Sequence, residues 1–320
     1  MIEIGVLSWQ CCIEQYFGEA MGEYMNVVKS ATNYIREHAL FADRIDWASV
    51  QSHLSMDSIS GLSTNDAYQY INRLIKQLDD SHSNIVTSEA LNARYWLHPK
   101  HPKFMECTTR FGAIGYVEVP GFVETSELPE SKYIEAIRGG IFDLNKNQLI
   151  GWIVDLRENF GGNMWPMLAA LEGLLDGPTV GYSQNRKKHR TTWSVNNGGS
   201  RIDSQIVSSS MYLCDAKLQS HLPLAFLTSA KTCSSGEAVV VSLKGRRRSR
   251  QFGTPTCGLS TGNKGYQLPC GATLWLTTAV FVDRNGVLYG GKIEPEIFLN
   301  SDMPDQDIFE NVGNWMKEIR

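Results

Sequence analysis

The 320-residue sequence has no excess of basic charge, no long apolar run and no zinc-type pair of cysteines. With 30 Lys and Arg against 34 Asp and Glu, the formal net charge is −4, which gives no reason to expect nucleic acid or an anionic membrane as a partner. No segment reaches the roughly 18 apolar residues of a membrane span. Residues 1–12 lack the basic flank and apolar run of a secretion signal. The sequence as written therefore predicts a soluble, cytoplasmic protein, although a chain already freed of an export signal would give the same prediction.

Cysteine is present but follows no pattern. There are seven cysteines, an odd number, and no two of them have the spacing of a zinc-binding pair. The sequence thus indicates neither a disulfide framework nor a metal site, and no cofactor is expected. The seven are Cys11, Cys12, Cys107, Cys214, Cys233, Cys257 and Cys270.

The spacing of apolar residues changes along the chain. From Tyr16 to Leu78 they recur at helical intervals, which predicts a small N-terminal helical domain over residues 1–95. The second helical stretch of this domain contains Tyr68 to Leu78. Thr64 to Asp66 supply N-cap candidates for this helix, and Asp79 to Ser81 should end it. His82 is therefore expected at a helix exit, where a side chain can turn toward a neighbouring domain.

Beyond about Phe111 short apolar runs alternate with helical stretches and glycine turns, which predicts an α/β domain over residues 96–320. Two strand-turn-helix units place glycine-rich turns at strand ends, where open α/β sheets bind ligands. The polar segment Gln184 to Ser204 is predicted to be an exposed loop. The predicted strands are Ile114 to Val119, Leu149 to Leu156, Leu224 to Leu227 and Leu274 to Val282, and the helices are Met164 to Leu175 and Ser235 to Leu243.

A run of small polar residues, Lys231-Thr232-Cys233-Ser234-Ser235-Gly236-Glu237, separates an apolar strand from an apolar helix. A serine at a helix start directs its hydroxyl outward, and the following backbone N–H groups can receive a developing oxyanion. The same residues suit plain helix capping, with Glu237 completing a capping box. Taken alone, capping explains the run at least as well, because capping serines outnumber catalytic ones.

Three segments in a fixed order carry a family resemblance. The first is Gly-Trp-Ile-Val-Asp-Leu-Arg-Glu-Asn-Phe-Gly-Gly over residues 151–162, and the second is the Ser234 turn. The third runs from Gly-Thr-Pro-Thr at 253–256 through 268–271 and 276–279 to Ile-Glu-Pro-Glu at 293–296. Together they resemble the tail-specific, or C-terminal processing, serine peptidases of family S41, with Ser234 as the nucleophile.

The resemblance implies a fold and a substrate class. The expected core is α/β, layered as in crotonase and ClpP, and the expected partner is a peptide or protein substrate. About 30 residues separate His82 from Gly112, too few for the PDZ domain that many relatives carry. The chain is therefore more similar to the PDZ-free members, such as nisin resistance proteins, which share one branch of the family with tricorn.

The catalytic base separates two branches of the family. The common members pair serine with a lysine in a Phe-Gly-Lys-Gly turn, and the alignment through residues 253–258 puts Leu259 at that position. Leucine cannot act as a base. The other branch uses serine, histidine and glutamate, and Asp-Asp-Ser-His-Ser at 79–83 resembles its histidine segment. The resemblance therefore assigns His82 as the base and Glu294 as its carboxylate partner.

Histidine titrates near neutrality, so it can take the serine proton and return it to the leaving amine if a carboxylate fixes its tautomer. Glu296 lies two residues from Glu294 and extended geometry does not separate them, so the choice of Glu294 rests on family position. Family position also implies an oxyanion hole formed by Ser235 N–H and one N–H of the Gly161–Gly162 turn. Ser81 is an auxiliary candidate beside the nucleophile.

Other interpretations stay open at this point. A Ser-Lys peptidase would use Lys264 in Gly-Asn-Lys-Gly, at the cost of a five-residue shift in the alignment (264 − 259 = 5). Cys233 is a second nucleophile candidate that the family pattern disfavours. A non-catalytic peptide- or lipid-binding protein on a peptidase scaffold belongs to a different functional class, because fold alone does not confer activity.

Overall fold

The computed structural model describes residues 25–53, 63–87, 90, 100–210 and 221–319. The chain divides into two compact units, residues 1–96 with 263–278 and residues 97–262 with 279–320. The first division falls close to the predicted boundary at residue 95. Residues 263–278 differ from the prediction, because the sequence assigned them to the α/β core.

The first unit combines helices with a small antiparallel sheet. Ile35, Ile71 and Leu74 from the helices share one buried core with Leu274 and Leu276. This packing explains why a segment so distant in sequence belongs with the helices. The elements are helix α1 over 25–38, α2 (Trp47–His53), α3 (Thr64–Gln77), β1 (Asn84–Val86), β11 (Thr261–Gln267) and β12 (Thr273–Val282), with β1 paired to residues 273–275 of β12.

The N-cap of helix α3 lies one residue before the predicted candidates, Thr64 to Asp66. Its N-cap is Ser63, whose Oγ accepts the Asp66 N–H at 3.2 Å while the Asp66 carboxylate accepts the Ser63 N–H at 3.0 Å. This reciprocal pair is a capping box. The helix ends at Gln77, so His82 follows a helix end as predicted. The part of the predicted helical segment before residue 25 lies outside the described residues.

The second unit is built on a six-stranded sheet. Neighbouring strands run parallel except β2 (Phe104–Thr109), which is antiparallel to β3 (Gly112–Glu118). Every residue of the central strands β4 (Leu149–Asp155) and β9 (Leu224–Thr228) is buried, as in a parallel sheet covered on both faces. In spatial order the strands are β13 (Ile297–Phe298), β10 (Ser249–Gly253), β9 (Leu224–Thr228), β4 (Leu149–Asp155), β3 (Gly112–Glu118) and β2 (Phe104–Thr109).

Helices cover both faces of this sheet. Trp152 and Val154 of β4 pack into one core with α4 (Glu130–Leu144), α5 (Met164–Ala170) and α6 (Ser235–Lys244). Ile153 faces the other core with α7 (Asp305–Glu318). The mixed α/β class predicted from sequence is confirmed. Among the described helices none is long and apolar enough to cross a membrane.

The loop predicted over Gln184 to Ser204 is wrong, because this segment forms antiparallel strands. Trp193 and Val195 alternate with polar neighbours and are buried on one face. Asn197 and Gly198 turn the chain with φ of 50° and 81°, the positive values that a tight hairpin turn requires. The strands are β5 (Thr179–Asn185), β6 (Arg190–Asn196), β7 (Gly199–Ile202) and β8 (Gln205–Ser209), and β5 also pairs with residues 279–282 of β12.

Candidate active site

Three loops leave the same edge of the parallel sheet. Strands β4, β9 and β10 are neighbours with the same direction, so the loops after them begin side by side. The loop after β4 carries Gly161 and Gly162, the loop after β9 carries Ser234, and the loop after β10 spans residues 254–260. Ligand sites of open α/β sheets lie at this carboxyl edge.

Ser234 is the N-cap residue of α6 and has an unusual backbone conformation. Its φ is 51° and its ψ −114°, and a non-glycine residue with positive φ is uncommon and concentrates at functional sites. The Ser234 N–H donates to the Glu237 carboxylate at 2.9 Å, and Gly236 N–H closes the turn on Cys233 O at 2.8 Å. The capping contact with Glu237 is therefore present in the same turn that presents Ser234 at a helix N-terminus.

The two glycines after β4 lie against this turn. Gly161 and Gly162 have φ of 105° and 106°. A Cβ on Gly161 would lie 3.1 Å from Ser234 Cβ and 3.2 Å from Ser235 N, and one on Gly162 would lie 2.0 Å from Phe122 O. Only glycine allows this approach of the two backbones.

The glycines differ in what their N–H groups do. Gly161 N–H already donates to Asn159 Oδ1 at 3.0 Å. Neither Gly162 N–H nor Ser235 N–H has an acceptor among the described residues, and Ser235 stands at the first helical position, where N–H groups lack intrahelical partners. Ser235 Oγ donates to Gly162 O, which holds the two residues together. Gly162 is therefore the better oxyanion candidate of the pair.

Asn159 connects the loops after β4 and β9. Its side chain is fully buried. Its Oδ1 accepts the Gly161 N–H, its Nδ2 donates to Val119 O at 3.0 Å, and its backbone O accepts the Cys233 N–H at 2.9 Å. From the sequence it was only one position in a matched segment; the signal available there was an amide just before a Gly-Gly turn.

Glu237 holds the loop after β10 against the nucleophile turn. Its fully buried carboxylate accepts four hydrogen bonds, from Ser234 N (2.9 Å), Thr256 Oγ1 (2.5 Å), Gly258 N (3.1 Å) and Leu259 N (2.7 Å). Burial raises the pKa of Glu237 above its ordinary value, although these four hydrogen bonds oppose that change. The sequence identified this residue only as a possible capping-box partner.

A disulfide joins the same two loops, which corrects the inference that the cysteines form none. Cys233 and Cys257 are bonded, with their Cα atoms 5.3 Å apart. The pairing arises from the convergence of two distant loops, which cysteine spacing does not reveal. In the described part of the chain Cys107 and Cys270 are free thiols, and the remaining three cysteines lie outside it. Once bonded, Cys233 has no thiol with which to act as a nucleophile.

The matching region and these loops coincide. The sequence model of Peptidase family S41 matches residues 113–298, more than half of the chain, and the match includes all three loops. The chain belongs to peptidase family S41. Its enzymatic class is accordingly serine peptidase, and both the family and the class predicted from the sequence are confirmed.

Individual relatives agree with membership in peptidase family S41. The nisin-resistance protein of Lactococcus lactis subsp. lactis is 27% identical over 276 residues, which cover 86% of this chain and 83% of that protein. A lipoprotein from Streptococcus agalactiae has a TM-score of 0.75 at 22% identity, covering 93% of this chain and 97% of its own. The photosystem II D1 C-terminal processing protease has a TM-score of 0.66 at 14% identity, covering 90% and 96%. At such identities the two structures show a shared fold.

The first unit of the S41 peptidase carries His82. The His82 backbone N–H donates to Asp80 Oδ1 at 2.9 Å, and the His82 backbone O accepts a hydrogen bond from Asn263 Nδ2 at 2.8 Å. Burial lowers the pKa of the His82 imidazole, and the charge of Asp80 opposes this change. Ser81 is exposed, as is Lys264, whose ammonium lies 5.6 Å from the centre of the Tyr266 ring.

The second unit carries both glutamates, and they differ in their partners. The Glu296 carboxylate accepts Lys244 Nζ at 2.7 Å and Gln251 N–H at 2.8 Å. Glu294 is exposed and its backbone O accepts Lys244 Nζ at 3.1 Å. Its carboxylate has no partner among the residues that the structure describes. Ser234, Ser235, Gly161 and Gly162 of the S41 peptidase thus form one constellation, while the roles of His82 and Glu294 stay predictions.

Proposed function

We propose that this S41 peptidase cleaves peptide bonds through an acyl-enzyme on Ser234, with His82 as general base and acid and Glu294 orienting the histidine. The observation that carries the proposal is the Ser234 turn. It combines a positive φ, a helix N-terminus and two N–H donors, from Gly162 and Ser235, that have no acceptor among the described residues. Such a turn presents a nucleophile beside a ready site for the oxyanion.

In the proposed reaction Ser234 Oγ attacks the peptide carbonyl carbon while His82 accepts the hydroxyl proton. The oxyanion accepts hydrogen bonds from the backbone N–H groups of Gly162 and Ser235. Collapse of the intermediate then expels the amine, which takes the proton from the imidazole. Water then hydrolyses the ester by the same proton route. The lowered pKa of His82 favours the neutral imidazole at neutral pH, which is the form that a base needs. Ser81 is proposed as an auxiliary hydrogen-bonding group.

The Ser-Lys alternative has weaker support. A lysine base has to be desolvated to lose its proton near neutrality. Lys264 is exposed. Leu259, at the position aligned with the common lysine, donates its backbone N–H to Glu237 and has no basic group.

Two comparisons test the proposal. Ser234→Ala should abolish covalent labelling by a fluorophosphonate; labelling that survives contradicts the nucleophile. In a peptide cleavage assay His82→Ala should lower kcat/KM about 100-fold or more, whereas Lys264→Ala should change it little. His189→Ala, at an exposed position in the turn between β5 and β6, is the matched histidine control. A large loss with Lys264→Ala alone would favour the Ser-Lys mechanism.

The substrate proposed is a peptide or protein, and the name of the Lactococcus lactis relative makes nisin the first peptide to assay. Binding without cleavage across a broad peptide library would favour the non-catalytic scaffold instead. We also propose a core layered as in crotonase and ClpP, supported by the central sheet with helices on both faces. The cytoplasmic location stays a prediction from the sequence.

A further inference from the structure

The Cys233–Cys257 disulfide lies immediately beside the proposed nucleophile. Cys233 precedes Ser234 in the chain, and Cys257 lies in the loop after β10. Both cysteines are half-buried, so neither is fully shielded from solvent. The loop after β10 is the one in which the common members of the family carry their lysine. In this chain the disulfide bonds that loop to the turn that holds Ser234.

The disulfide and the Glu237 carboxylate join the same two loops. Cys257 N–H donates to Thr232 O at 3.1 Å, while Gly258 N–H donates to Glu237, which also accepts the Ser234 N–H. Ser234 has the strained positive φ of 51°. Such a conformation persists only where surrounding contacts over-determine it. The disulfide is the one covalent constraint on this turn within the described residues.

We propose that the Cys233–Cys257 disulfide is a redox-reactive modification site that controls the reactivity of Ser234. The oxidised form holds the turn in the attacking conformation. Reduction by a dithiol or a low-molecular-weight thiol removes the cross-link, lets the turn relax and slows acylation. The inference rests on the proposed role of Ser234 and adds a control of that same residue.

A dithiol reductant supplies the two electrons and two protons that reduction of the Cys233–Cys257 disulfide requires. Its thiolate attacks one sulfur of the disulfide, forming a mixed disulfide and releasing the other cysteine as a thiolate that takes up a proton. The second thiol of the reductant then attacks the mixed disulfide and releases the second cysteine. Cys233 and Cys257 gain two electrons and two protons, and the reductant becomes a cyclic disulfide. An oxidised dithiol reverses the reaction.

The test uses the full chain in buffers of graded reduced-to-oxidised dithiothreitol ratio. The rate of fluorophosphonate labelling is measured beside the alkylation of Cys233 and Cys257, read by mass spectrometry. We expect the labelling rate to fall about tenfold as the two cysteines become reduced, which alkylation reports in separate quenched aliquots, and to recover when the unalkylated protein is re-oxidised. A tenfold change corresponds to about 1.4 kcal/mol.

Matched variants locate the effect. Cys233→Ala/Cys257→Ala should label slowly at every ratio, and Cys270→Ala, which removes a half-buried thiol of the first unit, should respond as the wild type does. The wild-type titration needs no substitution, so it decides the matter even if the double variant fails to fold. An unchanged labelling rate with the disulfide fully reduced, or two free thiols under oxidising conditions, overturns the inference. Oxidised protein that never labels overturns the proposed function instead.

Discussion

Gly161→Ala is the sharpest test of how the Ser234 turn is held. The added methyl group would lie 2.8 Å from Cys233 O, 3.1 Å from Ser234 Cβ and 3.2 Å from Ser235 N. Ordinary contact begins at 3.4 Å, so the first of these distances has to open by 0.6 Å (3.4 − 2.8). The atoms that have to move belong to the nucleophile turn itself.

The expected cost has two sources. A side chain at φ of 105° is strained by about 1–3 kcal/mol, and forcing a methyl group into a packed site costs about 1–3 kcal/mol more. The free energy of unfolding should therefore fall by about 2–6 kcal/mol. Because misplacement of a catalytic group by about 1 Å costs about 100-fold in rate, a shift of 0.6 Å should slow fluorophosphonate labelling by about 10- to 100-fold.

Two glycine controls separate strain from displacement. Gly286 has a φ of 91°, and the nearest neighbour of an added Cβ is Arg190 Nη1 at 3.8 Å, so Gly286→Ala carries the strain without the clash. Gly139 lies in α4 with nothing within 4 Å, so Gly139→Ala should stabilise the helix by about 0.5–1 kcal/mol. Unfolding by urea and the labelling rate are measured for all three variants. If Gly161→Ala is no less stable than Gly286→Ala and labels at the wild-type rate, the packing argument is refuted.

Three further predictions concern the proposed base, its carboxylate and the loop connection. Because burial lowers the pKa of His82, kcat/KM should rise with pH through a midpoint below the ordinary 6.5. Asp80→Asn removes a charge that raises this pKa, so it should move the midpoint to lower pH; a move to higher pH contradicts His82 as the base. Glu294→Gln should lower kcat/KM by about 10- to 10⁴-fold at unchanged Tm, and Glu296→Gln should lower Tm at unchanged kcat/KM; the opposite pattern would make Glu296 the orienting residue. Asn159→Ala leaves two buried backbone groups without partners and should cost about 2–5 kcal/mol in urea unfolding, with slower labelling; wild-type stability would show that the amide holds neither loop.

Local pattern was sufficient for the elements that surround the site. The apolar run at Leu224 to Leu227 matches β9, and the helix predicted from Ser235 matches α6 to within a residue at its end. These segments are buried on every side or flanked by clear turn residues, so sequence order and period carry the information. The Ser234 turn was found for the same reason, since its small polar residues stand between two apolar elements.

The remaining features depend on contacts between distant segments. The Cys233–Cys257 bond, the capture of Thr256 by Glu237 and the place of residues 263–278 in the first unit each join parts of the chain that no local window contains. The hairpin at Asn197 is a different failure. Its Asn-Gly turn signal was present in the sequence, but the polar composition of the surrounding strands favoured a loop, because only one face of the sheet is apolar.

The hydrogen bonds of Glu237 also bear on where the base must lie. This carboxylate is the acidic group nearest in sequence to Ser234, and its raised pKa would suit a proton acceptor. A carboxylate offers about four lone-pair sites, and Ser234 N–H, Thr256 Oγ1, Gly258 N–H and Leu259 N–H fill them. To accept the hydroxyl proton it would have to break a buried hydrogen bond, which costs about 1–3 kcal/mol for the donor left behind. Glu237 is therefore a scaffold for the nucleophile and its loop, and the base has to come from another segment.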